Sequence, residues 1–102
     1  TCTPNAPFPA AAVAHMTPTT LAAAIADVSS RRVPVVFSAG VPAMQATMAD
    51  VRAGLASRST AACRAVRTMR DRLNEVADVE ATRSDRAALT LVLDLTESFL
   101  AH

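Results

Sequence analysis

The chain contains no tryptophan, no tyrosine and no lysine, and only two glycines among its 102 residues. Sheets favour aromatic and β-branched side chains and turn often at glycine, so this scarcity argues against a β-rich fold. The net charge is only +1, so no overall field attracts nucleic acid or an anionic membrane surface. No apolar run approaches the ~18 to 20 residues that cross a bilayer, and no membrane span is predicted.

Alanine is the most abundant residue, with 23 copies, and hydrophobic residues make up 51% of the chain. The mean hydropathy of +0.26 is too high for an intrinsically disordered chain. Because alanine is the strongest intrinsic helix former, the composition predicts an all-α fold, a small three- or four-helix bundle. The bundle is expected to be a single domain over residues 17–102.

Residues 1–16 are expected to form an extended, proline-rich arm, because Pro4, Pro7 and Pro9 disfavour a helix. The arm is interpreted either as part of a processed protein or as non-native sequence. In the second case Met16 is the native start. The interpretation affects location: an exported or extracellular protein is expected if the arm is native, and a cytoplasmic one if residues 1–15 are not.

The first helix is predicted to begin at Thr17-Pro18, since threonine is a good N-cap and proline is tolerated in the first turn. Pro34 is expected to end the pattern. The stretch Val33–Phe37 looks like a strand but has no second strand to pair with. It is therefore predicted to be an extended connector, with Val35 and Phe37 filling the core.

Residues 42–79 carry helical periodicity that weakens between Gly54 and Thr60. They are predicted to form either one kinked or broken helix or two helices hinged in that stretch, and the single helix is favoured. The last helix is predicted to begin after Thr82 or Ser84. Thr82 and Asp85 have the spacing of a capping box.

Apolar residues recur at alternating steps of three and four from Val41 to Leu55, which is a heptad seam. The last helix is apolar almost all round, which is typical of a helix buried on several sides. A chain this short buries only ~60 to 65% of its unfolded surface, so its own core is expected to be marginal. These apolar faces are therefore predicted to contact a protein partner or a second copy through Val41, Met44, Met48, Val51, Leu55, Met69, Leu91, Leu95 and Phe99.

Cys2 and Cys63 are the only cysteines. In an exported protein they are predicted to form a disulfide that attaches the arm to the bundle. Closing a loop of about 60 residues would contribute roughly 4 kcal/mol in the chain-entropy model. The alternative is two unrelated thiols, with Cys63 acting as a small buried hydrophobe.

No catalytic motif is present, since the chain has no G-x-S-x-G, no P-loop and no G-x-G-x-x-G. The two histidines, His15 and His102, lie near the chain ends, so no metal site and no resident cofactor are predicted. Asp94 and Glu97, three apart in the apolar last helix, are interpreted as a narrow stripe facing water. Arg67 and Asp71 have the i,i+4 spacing of a solvated ion pair.

The favoured function is therefore non-catalytic protein–protein association. The alternative is a carrier with a cavity between helices for a lipid, a sterol or haem, with His15, Met16 or a seam methionine as the haem ligand. A third interpretation is a small enzyme similar to the helical chorismate mutases, with Arg31, Arg64 and Arg67 holding an anionic substrate. That similarity is one of residue type alone.

In size and helix content the chain resembles small helical-hairpin proteins exported by actinobacteria. The W-x-G turn and the tyrosine-bearing export signal of those proteins require residues that this chain does not contain. Membership of that family is therefore not predicted.

Overall fold

A computed structural model of the chain describes residues 8–38 and 40–101. These residues contain six helical segments and no strand, so the predicted all-α class is confirmed. Two segments are single turns and four are long. In chain order they are α1 (Ala10–Val13), α2 (Pro18–Arg31), α3 (Val33–Val36), α4 (Val41–Gly54), α5 (Thr60–Glu75) and α6 (Glu80–Ala101).

Helix α2 begins where the sequence predicts. The Thr17 side chain accepts a hydrogen bond from the backbone N–H of Thr20 at 3.2 Å, and the Thr20 side chain accepts one from the backbone N–H of Thr17 at 2.9 Å. This reciprocal capping box satisfies two N–H groups that have no partner within the helix. Pro18 follows in the first turn, where its missing N–H costs nothing.

The predicted extended connector at Val33–Phe37 is wrong, because residues 33–36 form the single helical turn α3. Pro34 lies at the start of this turn, a position where proline is tolerated. The turn directs Val33, Val36 and Phe37 inward and leaves Val35 49% exposed. The expectation of a core position is therefore correct for Phe37 and wrong for Val35.

The favoured single helix over residues 42–79 is also wrong, and the alternative of two helices is correct. A turn at residues 55–59 separates α4 from α5, and α5 runs back along α4. Arg58 has a φ of 50°, in the left-handed region that reverses a chain after a helix. Ser59 then caps α5, its Oγ accepting from the N–H of Ala62 at 3.3 Å.

The close approach of α4 and α5 depends on Gly54. A Cβ atom placed on Gly54 would lie 2.6 Å from the Cβ of Ala62 and 2.8 Å from the Oγ of Ser59. Any side chain at position 54 would therefore force the two helices apart.

Helix α6 begins at Glu80, earlier than predicted. The expected capping box between Thr82 and Asp85 is wrong, since the hydroxyl of Thr82 donates to the carbonyl of Val79 at 3.2 Å. Asp85 instead forms an ion pair with Arg32, at the end of α2. The carboxylate of Asp85 thus forms a tertiary ion pair instead of the local cap that its spacing from Thr82 predicts.

The four long helices pack in a ring in which α4 contacts α2 and α5, and α6 contacts α5 and α2. The turn α3 packs against α2, α4 and α6, and α1 packs against α6. The largest fully buried apolar side chains come from all four long helices and from the residue that follows α4, namely Ile25, Met48, Leu55, Met69, Leu89 and Leu93. The chain thus encloses one continuous core.

Part of the predicted arm is not extended. Residues 10–13 form the helical turn α1, with Val13 buried, and the N–H of Phe8 donates to the buried Oγ of Ser98 on α6 at 2.9 Å. Residues 1–7 lie outside the described residues, and the predictions for Pro4 and Pro7 lie there with them.

Candidate functional site

The predicted partner-binding residues divide into a buried and an exposed group. The buried group lies inside the chain's own core and consists of Met44, Met48, Val51, Leu55, Met69 and Phe99. Val41 and Leu95 are partly buried, and Leu91 is 50% exposed. Side chains that are covered within one chain have little area left for a partner. The prediction of an interface therefore stays open for Leu91, Leu95 and Val41.

Leu91 lies on the outer side of α6. Ala87, one turn earlier, is exposed, and Leu95, one turn later, is partly buried against the core. A single exposed leucine is common on soluble proteins. This patch therefore does not by itself indicate a partner.

Asp94 and Glu97 do not form the expected stripe facing water. Both carboxylates turn toward α5 and pair with the guanidinium of Arg70, whose Nη2 lies 2.7 Å from Asp94 and also contacts Glu97. The side chain of Glu97 is only 2% exposed, and those of Arg70 and Asp94 are 12% and 13% exposed. The Nε of Arg70 is buried without a hydrogen-bond partner. The cluster is a buried ion network between two helices.

Two further arginines bind the carbonyl ends of helices. Arg58 donates from Nη1 to the carbonyl of Phe99 at 2.6 Å, and its guanidinium lies 4.1 Å from the centre of the Phe99 ring. Arg86 donates to the carbonyls of Leu73 and Val76 at the end of α5, at 3.2 and 3.0 Å. The last carbonyls of a helix lack partners within it and carry partial negative charge, so cationic donors stabilise them.

The arginines with no partner are confined to the α4–α5 hairpin. Among the described residues, four arginines form neither an ion pair nor a side-chain hydrogen bond, and they are Arg52, Arg64, Arg67 and Arg72. The predicted Arg67–Asp71 pair is not among the ion pairs of the described chain, so that prediction is wrong. The hairpin also carries the unpaired acids Asp50, Asp71 and Glu75.

A groove of about 540 Å³ runs between α4 and α5 on the outer side of this hairpin. Its lining combines small side chains, hydroxyls and one charge of each sign: Thr47, Asp50, Ala53, Gly54, Ser57, Ser59, Ala61, Arg64, Ala65 and Thr68. Asp50 lies on the α4 wall and Arg64 on the α5 wall, and both residues are exposed. The groove is the candidate functional site of the described chain.

The residues considered for other chemistry are not brought together. Arg31 is paired with Asp27 on α2 at 2.9 Å, whereas Arg64 and Arg67 lie on α5. Within residues 8–38 and 40–101, no three histidine, cysteine, aspartate or glutamate side chains come close enough to hold a metal ion. His102 lies outside the described residues.

The predicted disulfide remains a prediction. Cys63 is 7% exposed on α5, as expected of either a half-cystine or a small buried hydrophobe. Its predicted partner, Cys2, lies outside the described residues.

The α4 side of the groove could have been detected in the sequence from a second pattern, one of small and polar residues. Thr47, Asp50, Gly54 and Ser57 follow steps of three, four and three, and all four line the groove. The spacing of large apolar residues identifies the face of α4 that the core uses. It does not identify the outer face, which carries small and polar side chains.

No protein-family model, curated protein or solved structure matches the chain. Of the helices in the described part of the chain, none combines the length and apolarity that crossing a membrane requires.

Proposed function

We propose that this chain is a non-catalytic helical module that associates with a protein through the outer surface of the α4–α5 hairpin. The observation that carries the proposal is the location of the unpaired charges. The other described arginines are engaged within the chain, whereas the four unpaired ones lie on this hairpin, and one of them, Arg64, lines the groove.

The mixture of charges favours a protein partner over a nucleic acid. Arg58 and Arg70 are engaged with α6. The remaining charges of the hairpin are four unpaired arginines and three unpaired acids, an excess of one positive unit. A polyanion would meet the acids as well as the arginines, and no tyrosine or tryptophan is available for base stacking. A protein surface can match both signs of charge at once.

The outer face of α4 is also suited to close helix packing. Its exposed residues include Ala43, Ala46, Ala49 and Ala53, which have the smallest apolar side chains. Interaxial distances between packed helices depend on side-chain size, and alanine allows the short end of the usual ~8–10 Å range. A partner helix could therefore lie deep against this face.

The described structure gives no specific support to the carrier alternative. The candidate haem-binding methionines Met44, Met48 and Met69 are packed in the core. The α4–α5 groove is lined by hydroxyls, charges and alanines rather than by the large apolar side chains that surround haem or a sterol.

A photo-crosslinking residue introduced at position 53 tests the proposal in cells that express the chain. Ala53 lines the groove and is exposed, so the substitution leaves the core intact. The matched control is the same residue at Ala23, which is exposed on α2. We expect a discrete crosslinked protein from position 53 and none from position 23. Equal or absent crosslinking at the two positions would contradict the proposal.

A further inference from the structure

We propose that the protein seated on the α4–α5 groove is a second copy of this chain, turned by a two-fold axis, with Asp50 of each copy paired with Arg64 of the other. This inference rests on the proposed function and names its partner.

Two unpaired charges of opposite sign face the groove. Asp50 on α4 and Arg64 on α5 line opposite walls, and neither forms an ion pair or a side-chain hydrogen bond within the described residues. A two-fold interface brings the same patch of both copies together, so a contact from residue i to residue j is repeated from j to i. Asp50 of one copy therefore faces Arg64 of the other, and the same pair forms a second time across the axis. Two identical ion pairs neutralise four charges.

The shape of the surface meets the same requirement. In a two-fold contact whose axis runs along the groove, α4 of each copy lies against α5 of the other. Ala46 and Ala53 lie one turn to either side of Asp50, so neither position blocks a close crossing. The carboxylate of Asp50 can then extend past the alanines toward the opposite α5.

The remaining charges favour a second copy over a strongly acidic or strongly basic partner. Beyond Arg64, the exposed side of α5 carries Arg67 and Arg72 together with Asp71 and Glu75, so positive and negative charges are equal in number. A partner of one sign would face repulsion from half of these residues. A copy of the same chain presents the same balanced set.

Charge reversal tests this geometry, because it predicts which variants bind each other. We expect the chain to sediment at twice its 10.6 kDa mass at high micromolar concentration. Asp50→Arg and Arg64→Asp should each weaken self-association about 100-fold, since each places like charges opposite each other twice per dimer. Mixing the two single variants should restore a dimer to within about tenfold of the original Kd, because every pair is then of opposite sign. The double variant should also self-associate.

Folding controls are direct, because both positions are exposed and unpaired within the chain. Each variant should keep the helical circular dichroism and the melting temperature of the original chain. Leu91→Arg serves as the surface control, since Leu91 lies outside the groove. It should leave the dimer unchanged.

The outcomes separate this inference from the proposed function. If Leu91→Arg dissociates the dimer and charge reversal leaves it intact, the groove is not the contact surface of the dimer. A chain that stays monomeric at high micromolar concentration, yet crosslinks to a different protein from position 53, would overturn the second copy and leave the proposed function standing. A monomer with no crosslink at position 53 would overturn both. Failure of the two single variants to bind each other would overturn the Asp50–Arg64 pairing.

Discussion

Replacing Arg70 with methionine removes the one cation that, within residues 8–38 and 40–101, pairs with Asp94 and Glu97 in the buried ion network. Methionine keeps much of the apolar stem, so the main change is the loss of charge and hydrogen bonding. With Glu97 2% exposed and Asp94 13% exposed, the two carboxylates would be left close together with little access to water. Removing one partner from a buried ion pair costs about 3 to 5 kcal/mol, because the remaining charge is uncompensated.

This loss is large compared with the total stability of such a chain. At about 0.05 to 0.15 kcal/mol per residue, a chain of 102 residues unfolds with a free energy of roughly 5 to 15 kcal/mol. An m-value of about 1 to 2 kcal/mol per molar urea then predicts that the urea midpoint of Arg70→Met falls by roughly 1.5 M or more. Urea unfolding followed by far-UV circular dichroism measures this shift.

Two further variants isolate the ion pair from the side chain. Arg67→Met changes an exposed, unpaired arginine on the same helix and should stay within about 0.5 kcal/mol of the original chain. Glu97→Gln keeps the shape of the glutamate and removes its charge. The double variant of Arg70→Met and Glu97→Gln should lose less than the sum of the two single losses, by about 1 to 3 kcal/mol.

Additive losses, or an Arg70→Met variant that loses less than about 1 kcal/mol at an unchanged m-value, would refute a stabilising role for the buried ion network. Either result would mean that water reaches the carboxylates or that the pair contributes nothing net.

Three other predictions follow from single contacts. Gly54→Ala should lower the free energy of unfolding by about 1 to 3 kcal/mol because of the 2.6 Å contact with Ala62, whereas Gly40→Ala, which meets nothing within 4 Å, should be neutral or slightly stabilising in the same urea assay. Arg58→Ala should lower the free energy of unfolding by about 1 to 2 kcal/mol, because it removes the hydrogen bond to the Phe99 carbonyl and keeps the left-handed backbone. Arg58→Gly should melt at a higher temperature than Arg58→Ala, because glycine adopts that backbone freely. The reverse order of melting temperatures would exclude backbone strain at position 58. If Cys2 and Cys63 form the predicted disulfide, the intact mass of protein purified without reductant should rise by two hydrogen atoms on reduction, and an unchanged mass would exclude the bond.

Where sequence and structure agree, the signal was local. The start of α2 was predicted because Thr17 and Pro18 act within a single turn of chain. The seam from Val41 to Leu55 was identified as a contact surface, and its buried members do lie on one face of α4 and the following turn. The sequence predicts that this seam contacts a partner, whereas in the structure Met48 and Leu55 lie inside the chain's own core.

The prediction and the structure disagree where the local sequence favours two backbone conformations about equally. Residues 33–37 contain β-branched side chains that favour a strand, yet packing against three helices selects the helical turn α3. Residues 54–60 could continue one helix or reverse the chain. The reversal is selected because it places α5 alongside α4, with Arg58 in the left-handed conformation and Gly54 at the crossing.

The sequence by itself determined that this chain is helical, where its first long helix begins and which side chains avoid water, because helix propensity, capping and periodicity act over a few neighbouring residues. Only the tertiary structure decided which charges are satisfied. Arg70 is separated from Glu97 by 27 residues, and Arg58 from Phe99 by 41, so no spacing rule connects them. Packing of α6 against its neighbours uses those arginines and leaves Arg52, Arg64, Arg67 and Arg72 unpaired, because a long-range ion pair forms only between helices that the core has already brought together.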